Sequence, residues 1–257
     1  MVRNQKDKAD DFRSLHVAGD PLVLYNIWDA GSAKAVAAGG AKAIATGSWS
    51  VASANGFADG ERIPFDLVIA NLRRIVEATE LPVSVDLESG YGKDVVAVGR
   101  TIAAAIEAGA IGCNLEDSFP DSGAMRETAE QVERIARARQ TADDAGIAFF
   151  LNARTDVFLR SPRASHDKAM VDTAIERGRA YAGSGADGLF LPGLVDPALI
   201  EYAVHGSPLP VNIMVADSTS TPALAAIGVA RISYGPSPWI ALMKVLEDAA
   251  RAANHSR

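Results

Sequence analysis

The 257-residue sequence holds one cysteine and four histidines, only 6% of it is aromatic, and it has no cluster of lysines or arginines. With Cys113 alone, an intrachain disulfide and a cysteine metal cluster are both excluded. Its apolar setting, IGCNL, suits a buried core thiol better than a reactive one. The missing basic patch, together with a net charge of −7 and a pI near 5.1, argues against nucleic acid or an anionic membrane surface as a partner. No apolar stretch approaches the roughly 20 residues of a membrane span. The N-terminal MVRNQKDKADDFRSL lacks the apolar core of a signal peptide, so a cytoplasmic location is expected. His16, His166, His205 and His255 fall in terminal, loop or helical stretches, as solvent-facing or structural histidines do.

Apolar residues make up 48% of the chain, enough for a large core. Eight short apolar runs are strand candidates, at 22–28, 43–47, 83–88, 112–117, 149–155, 188–193, 211–216 and 231–235. Between them lie helix-like stretches near 31–39, 64–79, 94–108, 126–145, 167–184, 197–204 and 219–227, and a last one at 238–253. Gly40, Gly109, Gly146, Gly185 and Gly228 sit between helix and strand, where a helix C-terminus calls for a left-handed residue. Strands alternating with helices predict parallel βα units in a single α/β barrel domain over 1–257, with a polar segment at 1–15 and a C-terminal helix and tail at 238–257. An open doubly wound sheet is the alternative, but no GxGxxG follows the first strand. There is no Walker A sequence, and neither VADSTS nor SYGPS offers the Gly-rich grip of barrels that bind sugar phosphates.

Barrel enzymes keep their chemistry at the C-terminal ends of the strands. There this chain places Asp86 and Glu88 (VSVDLESGYG), Glu116 (GCNLED) and Arg154 (FFLNARTD). Acids at i and i+2 of a strand share a side, so Asp86 and Glu88 are expected to face the axis and Asp117 to face away. Burying three carboxylates together without a cation is very costly, which favours a divalent metal. Oxygen ligands suit Mg²⁺, with Mn²⁺ as a substitute. Beside them Arg154 fits a bidentate clamp for a carboxylate substrate. Asp117 and Asp156 read as structural acids. Trp49, in TGSWS, is expected at a pocket mouth where backbone N–H groups can meet a carboxylate, and Trp28 and Trp239 in packing.

The run SVDLESGYG, followed by NLED and then NARTD, resembles the isocitrate lyase and phosphoenolpyruvate mutase superfamily, whose metal motif reads D-x-D/E-x-GYG. LVLYNIWDAGSAKAVAAGGAKAIATGSWS, the turn at Gly56 to Asp59 and GADGLFLPG extend the resemblance over about residues 11–250. It implies a (β/α)8 barrel that uses Mg²⁺ to act on small 2-oxo acids through a pyruvate-like enolate. By the same resemblance Asp86, Glu88 and Glu116 match the metal acids, and Arg154 the substrate arginine. Gly47, Ser48 and Trp49 match the stretch that holds the substrate carboxylate, and Asp59 an acid on the loop after strand 2. Family members commonly exchange C-terminal helices, which implies a homo-oligomer, a dimer or tetramer.

The chain departs from the family at one place. The C–C lyases carry K-[KR]-C-G after strand 4, whereas this loop reads SFPDSGAMRE with neither Lys nor Cys. The reading is therefore a Mg²⁺-dependent lyase or decarboxylase of a small 2-oxo or 2-hydroxy acid that releases a neutral product. The alternatives are C–P chemistry, as in phosphonopyruvate hydrolase or phosphoenolpyruvate mutase, for which the loop offers only Ser118 and Ser122, and a protein that binds a 2-oxo acid without turning it over.

Overall fold

A computed structural model describes residues 4–216 and 221–255. The strands are β1 (Leu22–Leu24), β2 (Ile44–Ala45), β3 (Val83–Asp86), β4 (Gly112–Glu116), β5 (Phe150–Arg154), β6 (Gly188–Leu191), β7 (Val211–Met214) and β8 (Arg231–Ser233). They form one sheet in the order β1-β8-β7-β6-β5-β4-β3-β2, with every pairing parallel. The two remaining edges, β1 and β2, meet at a single parallel bridge between Ile27 and Thr46. Asn26 reinforces that seam: its Nδ2 donates to Thr46 O, and its Oδ1 accepts from the Tyr234 and Gly235 N–H groups. The result is the expected α/β barrel of TIM type.

Each strand is shorter than its apolar run, because the run continues past the ladder into a loop that carries side chains to the barrel mouth. The helices are α1 (Gln5–Ser14), α2 (Ala30–Ala38), α3 (Ser48–Ala54), α4 (Phe65–Glu77), α5 (Val95–Glu107), α6 (Thr128–Asp144), α7 (Lys168–Gly183), α8 (Pro197–Gly206), α9 (Thr221–Ala226) and α10 (Ser237–His255). The five glycines expected at helix ends all have positive φ, between 64° and 99°. Residues 217–220, which include part of VADSTS and the start of the helix expected over 219–227, lie outside the described residues, as do 1–3 and 256–257.

Two helices were not expected. The polar N-terminal segment forms α1, capped by Asn4, whose side chain accepts from the Asp7 N–H. Only Ala9 and Phe12 of α1 are buried, so its apolar periodicity is too thin to read. Phe12 closes the bottom of the barrel edge-on to Phe150, with ring centroids 5.6 Å apart, and His16 stacks on Phe150 at 3.9 Å. Helix α3 occupies the start of the stretch between β2 and α4, where the sequence offers only a loop after strand 2.

Across the barrel's middle the lining is polar. Asn152 Nδ2 and Arg231 Nη2 both donate to Asn114 Oδ1, at 2.9 and 3.1 Å, although β4 and β8 stand on opposite sides of the barrel. Cys113 points the other way into the core, fully buried, and burial raises its thiol pKa far above the usual range, which fits an inert thiol.

Candidate active site

The strand ends enclose a cavity of about 150 Å³ whose wall is divided. Asn26, Gly47, Ser48, Trp49, Asp59, Asp86, Asn114 and Arg154 form a polar half, contributed by β1 to β5 and their loops. Leu159, Phe190, Pro192, Met214 and Pro236 form most of the other half, with Ser233 and Gly235 between. Arg154 is the sole cationic side chain among these described residues.

Asp86 ends β3 and faces the cavity. Its N–H donates to Thr46 Oγ1 at 2.8 Å, and its Oδ1 accepts from the Glu88 N–H at 3.1 Å, which fixes the carboxylate. The Ser48 N–H, at the start of α3, lies 3.5 Å from Asp86 Oδ2. Asp59 shares the cavity, and burial, then repulsion from Asp86, raises its pKa against the opposing effect of Ser48.

Glu88 and Glu116 stand behind this front. Glu88 has left the strand with φ of 50°, a left-handed conformation costly for any residue but glycine, so strand alternation no longer sets its direction. Its Oε1 accepts from Tyr91 OH at 2.8 Å and its Oε2 from the Glu61 N–H at 2.6 Å. Burial, then the charge on Asp59, pushes its pKa up to about 7. Glu116 Oε2 lies 2.8 Å from Arg154 Nη1, and Arg154 Nε and Nη2 donate to the two oxygens of Asp156. Burial opposes the charge on Arg154, but Glu116 and Asp156 outweigh it and keep the guanidinium protonated; burial raises Glu116 against the pull of Arg154. The structure therefore disperses the cost of the three acids over an arginine, a tyrosine hydroxyl and the backbone N–H groups of Glu61 and Glu88. Among the described residues no three His, Cys, Asp or Glu side chains are grouped to hold a metal ion.

The donor set still suits Mg²⁺, which keeps several waters and takes one or two carboxylates plus substrate oxygens rather than an all-protein cage. Asp86 would hold the ion, with Asp59 on the same cavity wall and Glu88 and Glu116 behind it.

The metal motif is also a latch. Glu61, at φ 58°, accepts through Oε1 from Ser89 Oγ at 2.7 Å and the Tyr91 N–H at 2.8 Å, while its own N–H goes to Glu88. The loop carrying Asp59 is thus tied to the loop after β3 in both directions. The glycines of GYG are steric necessities: a Cβ on Gly92 would stand 2.2 Å from that of Ala97, and Gly90 has φ of 105°.

Asp117 turns away from the axis, as expected. Its Oδ2 accepts from Tyr181 OH and Arg177 Nη1 at 2.8 and 3.1 Å, and its Oδ1 from the Asp156 N–H at 3.0 Å. Ser118 donates to Asp156 at 2.6 Å, Ser122 is exposed and caps the Ala124 N–H, and no residue of 118–125 lines the cavity. Trp49 stands at the mouth, edge-on to Trp239 at 5.4 Å.

Sequence reasoning missed Asn114 and the apolar wall. Asn114 precedes Glu116 by two residues and so shares its side of β4, the signal that would have found it. Leu159, Met214 and the pair Phe190 and Pro192 come from three separate segments, and nothing in the linear sequence marks those segments as neighbours.

The family model described as phosphoenolpyruvate phosphomutase matches residues 12–254. An uncharacterized protein of Mycobacterium tuberculosis (strain ATCC 25618 / H37Rv) is 32% identical over 95% of this chain and 88% of its own. The 2-methylisocitrate lyase of Escherichia coli (strain K12) is 28% identical over 82% of this chain and 71% of the enzyme. A solved structure from Burkholderia cenocepacia J2315, described as a candidate phosphonomutase, is 55% identical with a TM-score of 0.95, covering 97% of this chain and 100% of that one.

Proposed function

The chain belongs to the isocitrate lyase/phosphoenolpyruvate mutase superfamily, and from that premise we propose that it is a Mg²⁺-dependent lyase that decarboxylates a small 2-oxo acid through a pyruvate-like enolate. The divided cavity carries this reading. The Gly47 N–H donates to Ile27 O at 3.1 Å, so Gly47 lines the cavity without offering the expected amide; a substrate with its 2-oxo carboxylate against the amides of Ser48 and Trp49 places its third carbon toward Leu159, Phe190, Pro192 and Met214. A carboxylate there meets an apolar wall with no cation among the described residues, so its departure as neutral CO₂ relieves a desolvated charge.

Bound Mg²⁺ would supply Lewis-acid polarisation of the substrate's 2-oxygen. Arg154, fixed by Glu116 and Asp156, presents its charge where the enolate oxygen develops. Asp59, with its raised pKa, is the group positioned to exchange a proton with the enolate carbon or a water beside it. C–P chemistry finds no support from the loop after β4, because Ser118 and Ser122 are both engaged outside the cavity.

Calorimetric titration with oxalate, a planar mimic of the enolate, tests the site directly. Micromolar binding that requires Mg²⁺ is the expected result, followed by CO₂ release from a panel of 2-oxo dicarboxylic acids. Phosphate release from phosphonopyruvate would replace the decarboxylase reading with the C–P one, and binding without turnover of any 2-oxo acid would reduce the protein to a binding module.

We also propose that this cytoplasmic enzyme is a homo-oligomer joined through α10. Pro238 is the one buried residue of that helix, while Val245 is 63% and Leu246 61% exposed. A groove of about 630 Å³ runs between β1, α2 and Leu242 of the same helix, with a mainly apolar lining. An apolar helix face beside an apolar groove fits a second copy of the chain. Light scattering is expected to show a dimer or tetramer for the wild type and a shift to monomer for Val245→Glu/Leu246→Glu.

A further inference from the structure

Arg231 is 1% exposed inside the barrel; among the described residues it has no carboxylate in hydrogen-bond contact and its side chain makes one hydrogen bond, from Nη2 to Asn114 Oδ1 at 3.1 Å. Its Nε and Nη1 are buried without a partner. An arginine can only donate, and although burial pulls Arg231 down to about 10 it remains protonated at neutral pH. The atom of Asn114 that faces it must therefore be the oxygen. Asn152 Nδ2 donates to the same oxygen at 2.9 Å. With Oδ1 held from below by two donors, the Asn114 amide cannot flip, and its NH₂ group is left for the cavity that Asn114 lines beside Asp86 and Arg154.

We infer that Asn114 is a substrate-contacting residue whose side-chain N–H donates from the cavity floor to a substrate oxygen, and that Arg231 is the positioning residue that fixes its polarity. This rests on the enolate reading above. The position suits it: Asn114 pairs in register with Asp86 on one side and, two residues later on the same strand, Glu116 pairs with Arg154 on the other. A donor there lies between the acid assigned to the metal and the arginine assigned to the enolate. It gives the floor a fixed direction, donor upward, that an amide free to rotate would lack.

The wild type supplies a readout that needs no variant to fold. The side-chain ¹⁵NH₂ resonances of Asn114 are expected to shift, and their exchange with water to slow, when oxalate is added with Mg²⁺. In the double variant Asn114→Leu/Arg231→Met, the buried polar pair gives way to an apolar pair that puts no charge in the cavity. Its oxalate affinity is expected to fall about 10- to 100-fold, the range of a hydrogen bond to a charged group. Arg231→Met alone, which frees the amide to turn, is expected to fall between that and the wild type. Oxalate binding with the Asn114 resonances unmoved, or undiminished in the double variant, overturns the inference and leaves the enolate reading standing. Failure of the wild type to bind oxalate overturns both.

Discussion

Replacing Asp86 with asparagine is expected to lower Mg²⁺-dependent oxalate affinity by more than about 100-fold, since even the outer partners of metal ligands account for 10- to 100-fold. That is at least about 2.7 kcal/mol, at 1.36 kcal/mol per tenfold. The reason is geometric: Asp86 and Asp59 are the carboxylates lining the cavity, and Asp86 is held at its Oδ1 by the Glu88 N–H and at its own N–H by the Thr46 hydroxyl. The amide keeps the shape and the Glu88 N–H bond, so the fold should survive. Glu116→Gln and Glu88→Gln are expected to lose only about 10-fold each, because those acids act through Arg154 or through water. Titrating the three variants side by side decides the matter. An Asp86→Asn protein that binds oxalate with Mg²⁺ as well as the wild type would remove Asp86 from the metal site.

The second large effect is on stability. Asp117→Ala is expected to destabilise the protein by about 3–5 kcal/mol, as loss of one member of a buried ionic network does. Asp117 is 0% exposed and receives three hydrogen bonds, from Tyr181, Arg177 and the Asp156 backbone. Its removal takes an acceptor from a phenol, a guanidinium and an N–H at once, although Arg177 still reaches Tyr181 OH and Arg126 O. For a chain of this size the melting temperature should drop by roughly 10 °C. Oxalate affinity at 20 °C should change far less, because Asp117 faces the helices rather than the cavity. Thermal unfolding followed by circular dichroism checks the first expectation, and an unshifted melting temperature would show the network to be dispensable.

The barrel was legible in the sequence because every parallel strand there is an apolar run that stops at a glycine or a charge. Asp86, Arg154 and Trp49 were legible for the same reason, since each stands where a run stops. Glu88 was legible as a residue but not in its direction: alternation ends at Asp86, and a left-handed φ turns Glu88 toward Tyr91 and Glu61. Glu116 was placed on the correct side of β4, yet no spacing rule reveals that Arg154 would claim its carboxylate. Asn114 obeys the same alternation, but an uncharged amide draws no notice until Arg231, 117 positions away, is seen to hold it. Helix α1 was hidden by its own polarity, with two buried side chains in ten residues.

The reciprocal hydrogen bonds between Glu61 and the 88–91 segment also bear on timing. The loop that carries Asp59 cannot swing outward without taking an N–H donor from Glu88 and an acceptor from Tyr91. Opening of that loop and loss of order around Glu88 are thus one motion along one coordinate. Asp59 therefore has no separate position, withdrawn from the cavity, in which Glu88 and Tyr91 keep all their partners, and any return of the loop rebuilds both together.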